Sequence, residues 1–235
     1  MQPTERLGGL SHADWNEQMA RRYDWFDEYH SNSWFPIRWL QGQRIRRVVA
    51  ALPAEGSVLE VGCGPGYVLA TVPRQKVYGI DLSEHLVEMA RQRLGERAEI
   101  RQGSAEALPY EDGRFDAVFC TEVLEHTLEP RTAVAECLRV LKPGGTLILT
   151  VPNDGLIHFL KSLVRKFGLG RLLEQSGPDG HQPSHDGHEW HLHQLDNKIL
   201  GGWAQELGAI EVRGYNLPVF FLPLHFLLTC SKGAA

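Results

Sequence analysis

Glycines at alternate positions, Gly62, Gly64 and Gly66, follow directly on the apolar run Val58-Leu59-Glu60-Val61 and precede a segment that reads as a helix to about Thr71. Few features constrain a chain more. A strand that ends in such a turn and continues as a helix opens a parallel α/β sheet, with the turn at the strand's carboxyl end, where open sheets bind ligands. Glycine lets the backbone approach a ligand with no Cβ in the way. The spacing narrows the ligand further. A dinucleotide fingerprint, GxGxxG, needs glycine at position 67, which is Tyr67 here. The loop points away from a nicotinamide dinucleotide and toward a nucleoside without a pyrophosphate.

The chain beyond this turn keeps alternating. Lys76 to Asp81 reads as a second strand, and Ser83 caps a helix reaching Leu94 with Leu86, Met89 and Ala90 at helical spacing. Ala98 to Gln102 and Phe115 to Cys120 are predicted as the third and fourth strands. Pro130 opens a helix whose Ala133, Val134, Cys137, Leu138 and Leu141 share a face, closed by Pro143-Gly144-Gly145. Thr146 to Val151, apolar apart from its threonines, is a fifth strand buried on both sides. A helix from Leu195 to Leu207 and strands at Ile210–Leu217 and Phe226–Ser231 complete the pattern. Seven strands alternating with helices predict an α/β fold with a mostly parallel sheet and helices on both faces. The first 50 residues add helices, one capped by Ser11 and one running from near Pro36 to Ala51. Trp15, Trp25, Trp34 and Trp39 are expected to pack these helices onto the sheet, or to form an aromatic lid.

The rhythm breaks between Asn153 and Gln194. Leu156 to Leu173 is amphipathic and basic, suited to a mobile cap or to a membrane surface. Ser176 to His193 is rich in Gly, Pro and His. The 235 residues fit one domain: a helical cap (1–53), a ligand-binding core (57–153), an insert (154–194) and a terminal helix with two strands (195–235). A net charge of −5 argues against nucleic acid as partner, and 43% hydrophobic with 23% charged residues is ordinary for a globular protein. Cys63, Cys120, Cys137 and Cys230 form no CxxC pair and are expected as buried thiols. Met1 to Ser11 lacks the layout of a signal peptide, and the apolar stretch Leu217–Leu228 is too short to span a bilayer, so a cytoplasmic location is expected, with at most peripheral membrane contact.

Asp81 ends the second strand, 19 residues after Gly62, where an acidic group can accept both ribose hydroxyls. Together with the loop it brings out a resemblance. Val58 to Gly66 resembles motif I of class I S-adenosylmethionine-dependent methyltransferases, and Gly79-Ile80-Asp81-Leu82-Ser83 their second motif. Gly103 to Tyr110 resembles the third, Phe115-Asp116-Ala117-Val118 to Glu122-Val123-Leu124-Glu125-His126 the fourth, and Leu141-Lys142-Pro143-Gly144-Gly145 completes the set in order. The resemblance implies a Rossmann-like sheet and S-adenosylmethionine as cofactor. It implies that Gly62, Cys63, Gly64 and Gly66 face the methionine and ribose portions, with Glu60 near the amino group and Asp81 on the ribose. Leu82, Ser104 and Ala105 would meet the adenine, although Ser104 stands where the family more often has Asp or Asn. Thr121 and Glu122 would lie beside the cofactor.

The acceptor is expected to be a small molecule, most simply a hydrophobic or aromatic metabolite methylated on oxygen; carbon or nitrogen acceptors, and a non-catalytic binding protein, are the alternatives. A nicotinamide dehydrogenase is disfavoured by Tyr67. An oxygen acceptor gains from a base. His126, just after the fourth strand, and His191, from the cluster His181, His185, His188, His191 and His193, are the candidates. Glu122, Glu125 and His126 have i, i+3, i+4 spacing, which on a helical turn would put them on one face as donors for a divalent ion. The string resembles one in ubiquinone-pathway O-methyltransferases that implies such an ion, but a metal is not the favoured reading.

Overall fold

In the computed structural model, residues 7–22, 35–73, 76–167, 191–219 and 222–233 are described. The helices are α1 (His12–Arg22), α2 (Phe35–Ala51), α3 (Tyr67–Thr71), α4 (Glu84–Leu94), α5 (Pro130–Val140), α6 (Asp154–Lys166) and α7 (Asn197–Glu206). The strands are β1 (Ser57–Val61), β2 (Lys76–Asp81), β3 (Ala98–Gln102), β4 (Phe115–Thr121), β5 (Leu141–Pro152), β6 (Ala209–Val219) and β7 (Leu222–Lys232). They form one sheet in the order β3-β2-β1-β4-β5-β7-β6. The pairs from β3 to β5 are parallel, and β7 runs antiparallel between β5 and β6.

Side-chain alternation explains why helices cover both faces. Leu59, Val61, Val118, Cys120, Leu147 and Leu149 point to one side, against Ala133, Val134 and Cys137 of α5 and Leu200 and Ala204 of α7. Val58, Ala117, Phe119 and Ile148 point to the other, against Val48 of α2, Leu69 of α3, and Val87 and Ala90 of α4. Each fully buried Leu, Ile or Phe stabilises the fold by roughly 1.5–3 kcal/mol over its exposed state, so these two layers dominate stability. The expected seven-stranded α/β sheet is thus observed, and β2 and β3 have the bounds read from sequence.

Two helix caps act where the sequence places them: Ser11 Oγ accepts from Asp14 N (3.1 Å) and Ser83 Oγ from Leu86 N (3.2 Å). The last helix starts at Asn197 rather than Leu195, because Asp196 caps it by accepting from Lys198 N and Ile199 N. Three further expectations need correction. α5 ends at Val140 rather than at the Pro-Gly-Gly turn, because Leu141 already pairs with Phe115 across the sheet. The turn is instead an irregularity inside β5, with Gly144 at φ 74°. Both terminal strands run longer than expected, since β6 and β7 keep pairing out to Val219 and Leu222. Among the tryptophans, Trp15 is buried with Leu7 and Met19, but Trp39 is 45% exposed; Trp25 and Trp34 lie outside the described residues. All four cysteines are buried and without a disulfide. Among the described residues, no helix is long and apolar enough to cross a membrane.

The strand order fixes where a ligand can sit. From β1 the chain moves outward to β2 and β3, then returns to β4 on the other side of β1. In sheets of this order, the loops leaving the carboxyl ends of β1 and β4 border the crevice where ligands bind.

Candidate functional site

One wall of this crevice is the loop after β1. Gly62 N and Cys63 N both donate to Ile80 O (2.7 and 3.0 Å), which binds the loop to β2. The glycines serve different needs. A Cβ on Gly62 (φ 71°) would overlap the side chain of Val123, so this glycine makes room for the loop after β4. A Cβ on Gly64 (φ 50°) would meet nothing within 4 Å, so this glycine borders open space. Gly66 N donates to Cys63 O as the chain enters α3, while the Cys63 side chain turns inward beneath β2. Burial pushes the Cys63 thiol well above its usual range.

Two buried carboxylates flank the loop. Asp81 Oδ2 accepts from Gly64 N (2.8 Å) and Oδ1 from Ser83 N (3.0 Å). Burial raises the Asp81 carboxyl, and the amides of Ser83 and Gly64 act against it. Glu60, 1% exposed, is pushed well above the usual carboxylate range by burial, with Thr121 Oγ1, which donates to its Oε1 (3.3 Å), opposing. Glu60 Oε2 is buried without a hydrogen-bond partner among the described residues. A buried, unsatisfied oxygen is costly and calls for a donor that the described residues do not supply. Leu82 is half-buried, its carbonyl accepting from Gln102 Nε2 (3.2 Å). Ser104 Oγ accepts from Glu106 N (3.1 Å), capping its own loop, and the half-buried Ala105 packs on the core. These features fit a small nucleoside carrying hydroxyls and a cationic amine.

The other wall is built at the end of β4. Glu122 takes φ 57°, a conformation unfavourable for a residue with a side chain. Thr150 Oγ1 (2.8 Å) and Arg44 Nη1 (3.1 Å) reach Glu122 Oε1, and His225 Nε2 lies 3.5 Å from Oε2. Although burial pushes the carboxyl up, Arg44 and His225 hold it below its ordinary value. His225 itself is lowered by burial, with Glu122 opposing. The expected single face of Glu122, Glu125 and His126 does not form. Only Leu124–His126 makes a 3₁₀ turn, and Glu122 stands outside it in the left-handed region.

Within that turn Glu125 is 1% exposed, and neither carboxylate oxygen has a hydrogen-bond partner among the described residues. Burial first, then the charge of Glu122, pushes this carboxyl well above the carboxylate range. His191 comes in place of Glu122. Ligand-capable atoms of Glu125, His126 and His191 lie within 4.8 Å of one another, and the His126 and His191 rings meet at 68° with centroids 4.9 Å apart. The set has the donor types for a divalent ion, with a single carboxylate beside two imidazoles. His193 Nε2 lies 3.2 Å from Leu128 O; His181, His185 and His188 lie outside the described residues.

Helix α1 bridges both walls. Ser83 Oγ donates to Glu17 Oε2 (2.6 Å), and His12 Nε2 lies 2.9 Å from His126 O. Leu7, Trp15 and Met19 pack on Leu128 and Leu192. Sequence reasoning missed Glu17, Arg44, Asp154 and His225. Asp154 alone carried a signal, an acidic residue just past the carboxyl end of a strand. A separate groove of about 650 Å³, lined by Arg47, Thr146, Arg213, Tyr215 and Thr229, lies between α2 and β6–β7 and takes no part in this cluster.

Residues 59–149 match the methyltransferase domain family. The chain is 42% identical over 151 residues to a 37.1 kDa transposon protein of Streptomyces fradiae, covering 55% of this chain and 44% of that one. It is 38% identical over 145 residues to a ubiquinone biosynthesis O-methyltransferase of Xanthomonas axonopodis, covering 59% of this chain and 61% of that one. The matches thus span about half of the length of these relatives. A solved S-adenosylmethionine-dependent methyltransferase of Thermotoga maritima, a possible histamine N-methyltransferase, superposes with a TM-score of 0.66 at 21% identity, over 92% of this chain and 97% of that one. Residues 59–149 therefore match a methyltransferase domain, and the chain shares its fold with solved S-adenosylmethionine-dependent methyltransferases.

Proposed function

We propose that this chain, acting as one domain, transfers a methyl group from S-adenosylmethionine to an oxygen of a small hydrophobic or aromatic metabolite. The observation that carries the reading is the pairing of two walls at one crevice: the buried carboxylates Glu60 and Asp81 beside the open space over Gly64, and the imidazoles of His126 and His191 at the end of β4. When bound, the cofactor supplies a methyl carbon already activated by a sulfonium, so the protein's task is to position and deprotonate the acceptor. Glu60 Oε2 offers its open valence to the amino group. Asp81, held by Gly64 N and Ser83 N, takes the ribose hydroxyls. Gly62, Cys63, Gly64 and Gly66 present backbone, and Leu82, Ser104 and Ala105 border the adenine. Thr121 and Glu122 stand beside the cofactor, Glu122 pinned by Arg44, Thr150 and His225. Helix α1 shields the site from water through Glu17 and His12. The relatives named as ubiquinone biosynthesis O-methyltransferases support an oxygen acceptor.

The test is release of S-adenosylhomocysteine across a panel of phenols, catechols and amines, with and without a chelator. Turnover is expected with hydroxylated aromatics, insensitive to chelation, and lowered about 10²-fold when both imidazoles are removed in His126→Gln/His191→Gln, with cofactor affinity kept. Turnover confined to amines would overturn the oxygen reading, and loss on chelation would restore the metal.

A further inference from the structure

Asp154 belongs to none of the sequence motifs, yet it is the buried residue of α6, at 6% exposure and one position past the Asn153 cap. Its Oδ2 lies 2.9 Å from Nδ1 of His191, 37 residues later in the chain. The backbone around His191 is fixed independently. Leu192 N and His193 N both donate to Glu125 O (2.6 and 3.2 Å), and His193 Nε2 reaches Leu128 O. The His191 ring is therefore held against the edge of His126 by ties to α6 and to the turn after β4 at once.

We propose that Asp154 is the positioning residue of His191, and that His191 is the base that deprotonates the acceptor; this rests on the oxygen-transfer reading above. A carboxylate that accepts from Nδ1–H fixes the neutral tautomer with its lone pair on Nε2 and stabilises the imidazolium that forms. The step balances. The acceptor O–H proton passes to Nε2, the acceptor oxygen forms the bond to the methyl carbon, and the electron pair of the broken carbon–sulfur bond stays on sulfur. The positive charge of the sulfonium ends on the imidazolium, opposite Asp154. Among the described residues, the charged and titratable groups around this ring include Asp154 from α6, Glu125 and His126 from the turn after β4, and behind them Glu122, Arg44 of α2 and His225 of β7. His126, whose carbonyl anchors His12, has its ring beside the base rather than in its place.

Two readouts test this on the full chain saturated with S-adenosylhomocysteine or turning over catechol. In two-bond ¹⁵N spectra, with His191→Gln assigning the signal, His191 is expected as the Nδ1–H tautomer in the wild type and to lose that preference in Asp154→Ala. With catechol as probe, Asp154→Asn is expected to lower kcat at least about tenfold, with KM for S-adenosylmethionine within about twofold. The same substitution in a His191→Gln background is expected to change kcat less than about twofold, because the two groups act as one unit. An Nε2–H tautomer in the wild type, an unaltered kcat in Asp154→Asn, or additive losses would each overturn the proposal. A wild type that turns over no hydroxylated probe sinks the oxygen-transfer reading instead, and the tautomer then decides the Asp154–His191 pairing by itself.

Discussion

At the scale of single residues, Gly62 and Gly64 separate what the motif merges. Both have positive φ, but Gly62 is packed against Val123 and Gly64 faces open space. Gly62→Ala is expected to lower stability by about 2–4 kcal/mol, combining left-handed strain with a clash. Gly64→Ala is expected to cost about 1 kcal/mol of stability but to weaken S-adenosylmethionine binding more than Gly62→Ala does, per folded molecule. Urea unfolding and calorimetry on both variants check this, and equal stability losses would show that the two sites are alike. The alternate glycines were visible in the sequence. Their separate duties were not, because the reason for Gly62 is a valine 61 positions away, in the loop after another strand.

Among the elements, the turn Leu124–His126 shows how periodicity misleads. The spacing of Glu122, Glu125 and His126 suits a helix, but a helix needs Glu122 at negative φ. Its backbone is instead tied to Thr150 O (3.0 Å) and its carboxylate to Arg44, so tertiary partners override the local pattern. The result leaves Glu125 buried with no hydrogen-bond partner for its carboxyl among the described residues. Its carboxyl holds a proton more tightly folded than unfolded, since burial and Glu122 raise it above the ordinary 4.5. The stability this contributes is complete below that ordinary value and is lost as pH rises through the raised folded value, at up to about 1.4 kcal/mol per pH unit for one proton. Glu125→Gln is expected to flatten this alkaline decline in urea midpoints measured from pH 5 to 9. An unchanged slope would mean that Glu125 is ionised in the folded state. The regular elements were far more legible, as β2 and β3 show, because apolar alternation and caps act within a few residues.

For the whole molecule, the segment from Ser57 to Asn153 carried its motifs in order; the sheet sets the ends of β1 to β4 along its carboxyl edge, while Leu141 to Gly145 sits at the opposite edge beside Phe115. The groups that complete the wall at the end of β4 come from elsewhere: His12 from α1, Arg44 from α2, Asp154 and His191 from either side of the insert, His225 from β7. They meet only because β7 inserts between β5 and β6 and because α1 folds back over the crevice. No local pattern records such meetings, which is why the loop after β1, Asp81, His126 and His191 stand out in the sequence while Glu17, Arg44, Asp154 and His225 do not. The loop after β1 and Asp81 are proposed to hold S-adenosylmethionine. Titration calorimetry with S-adenosylhomocysteine is expected to show one site per chain and a loss of about 1–3 kcal/mol in Asp81→Ala; no binding, or equal affinity in the variant, would overturn that assignment.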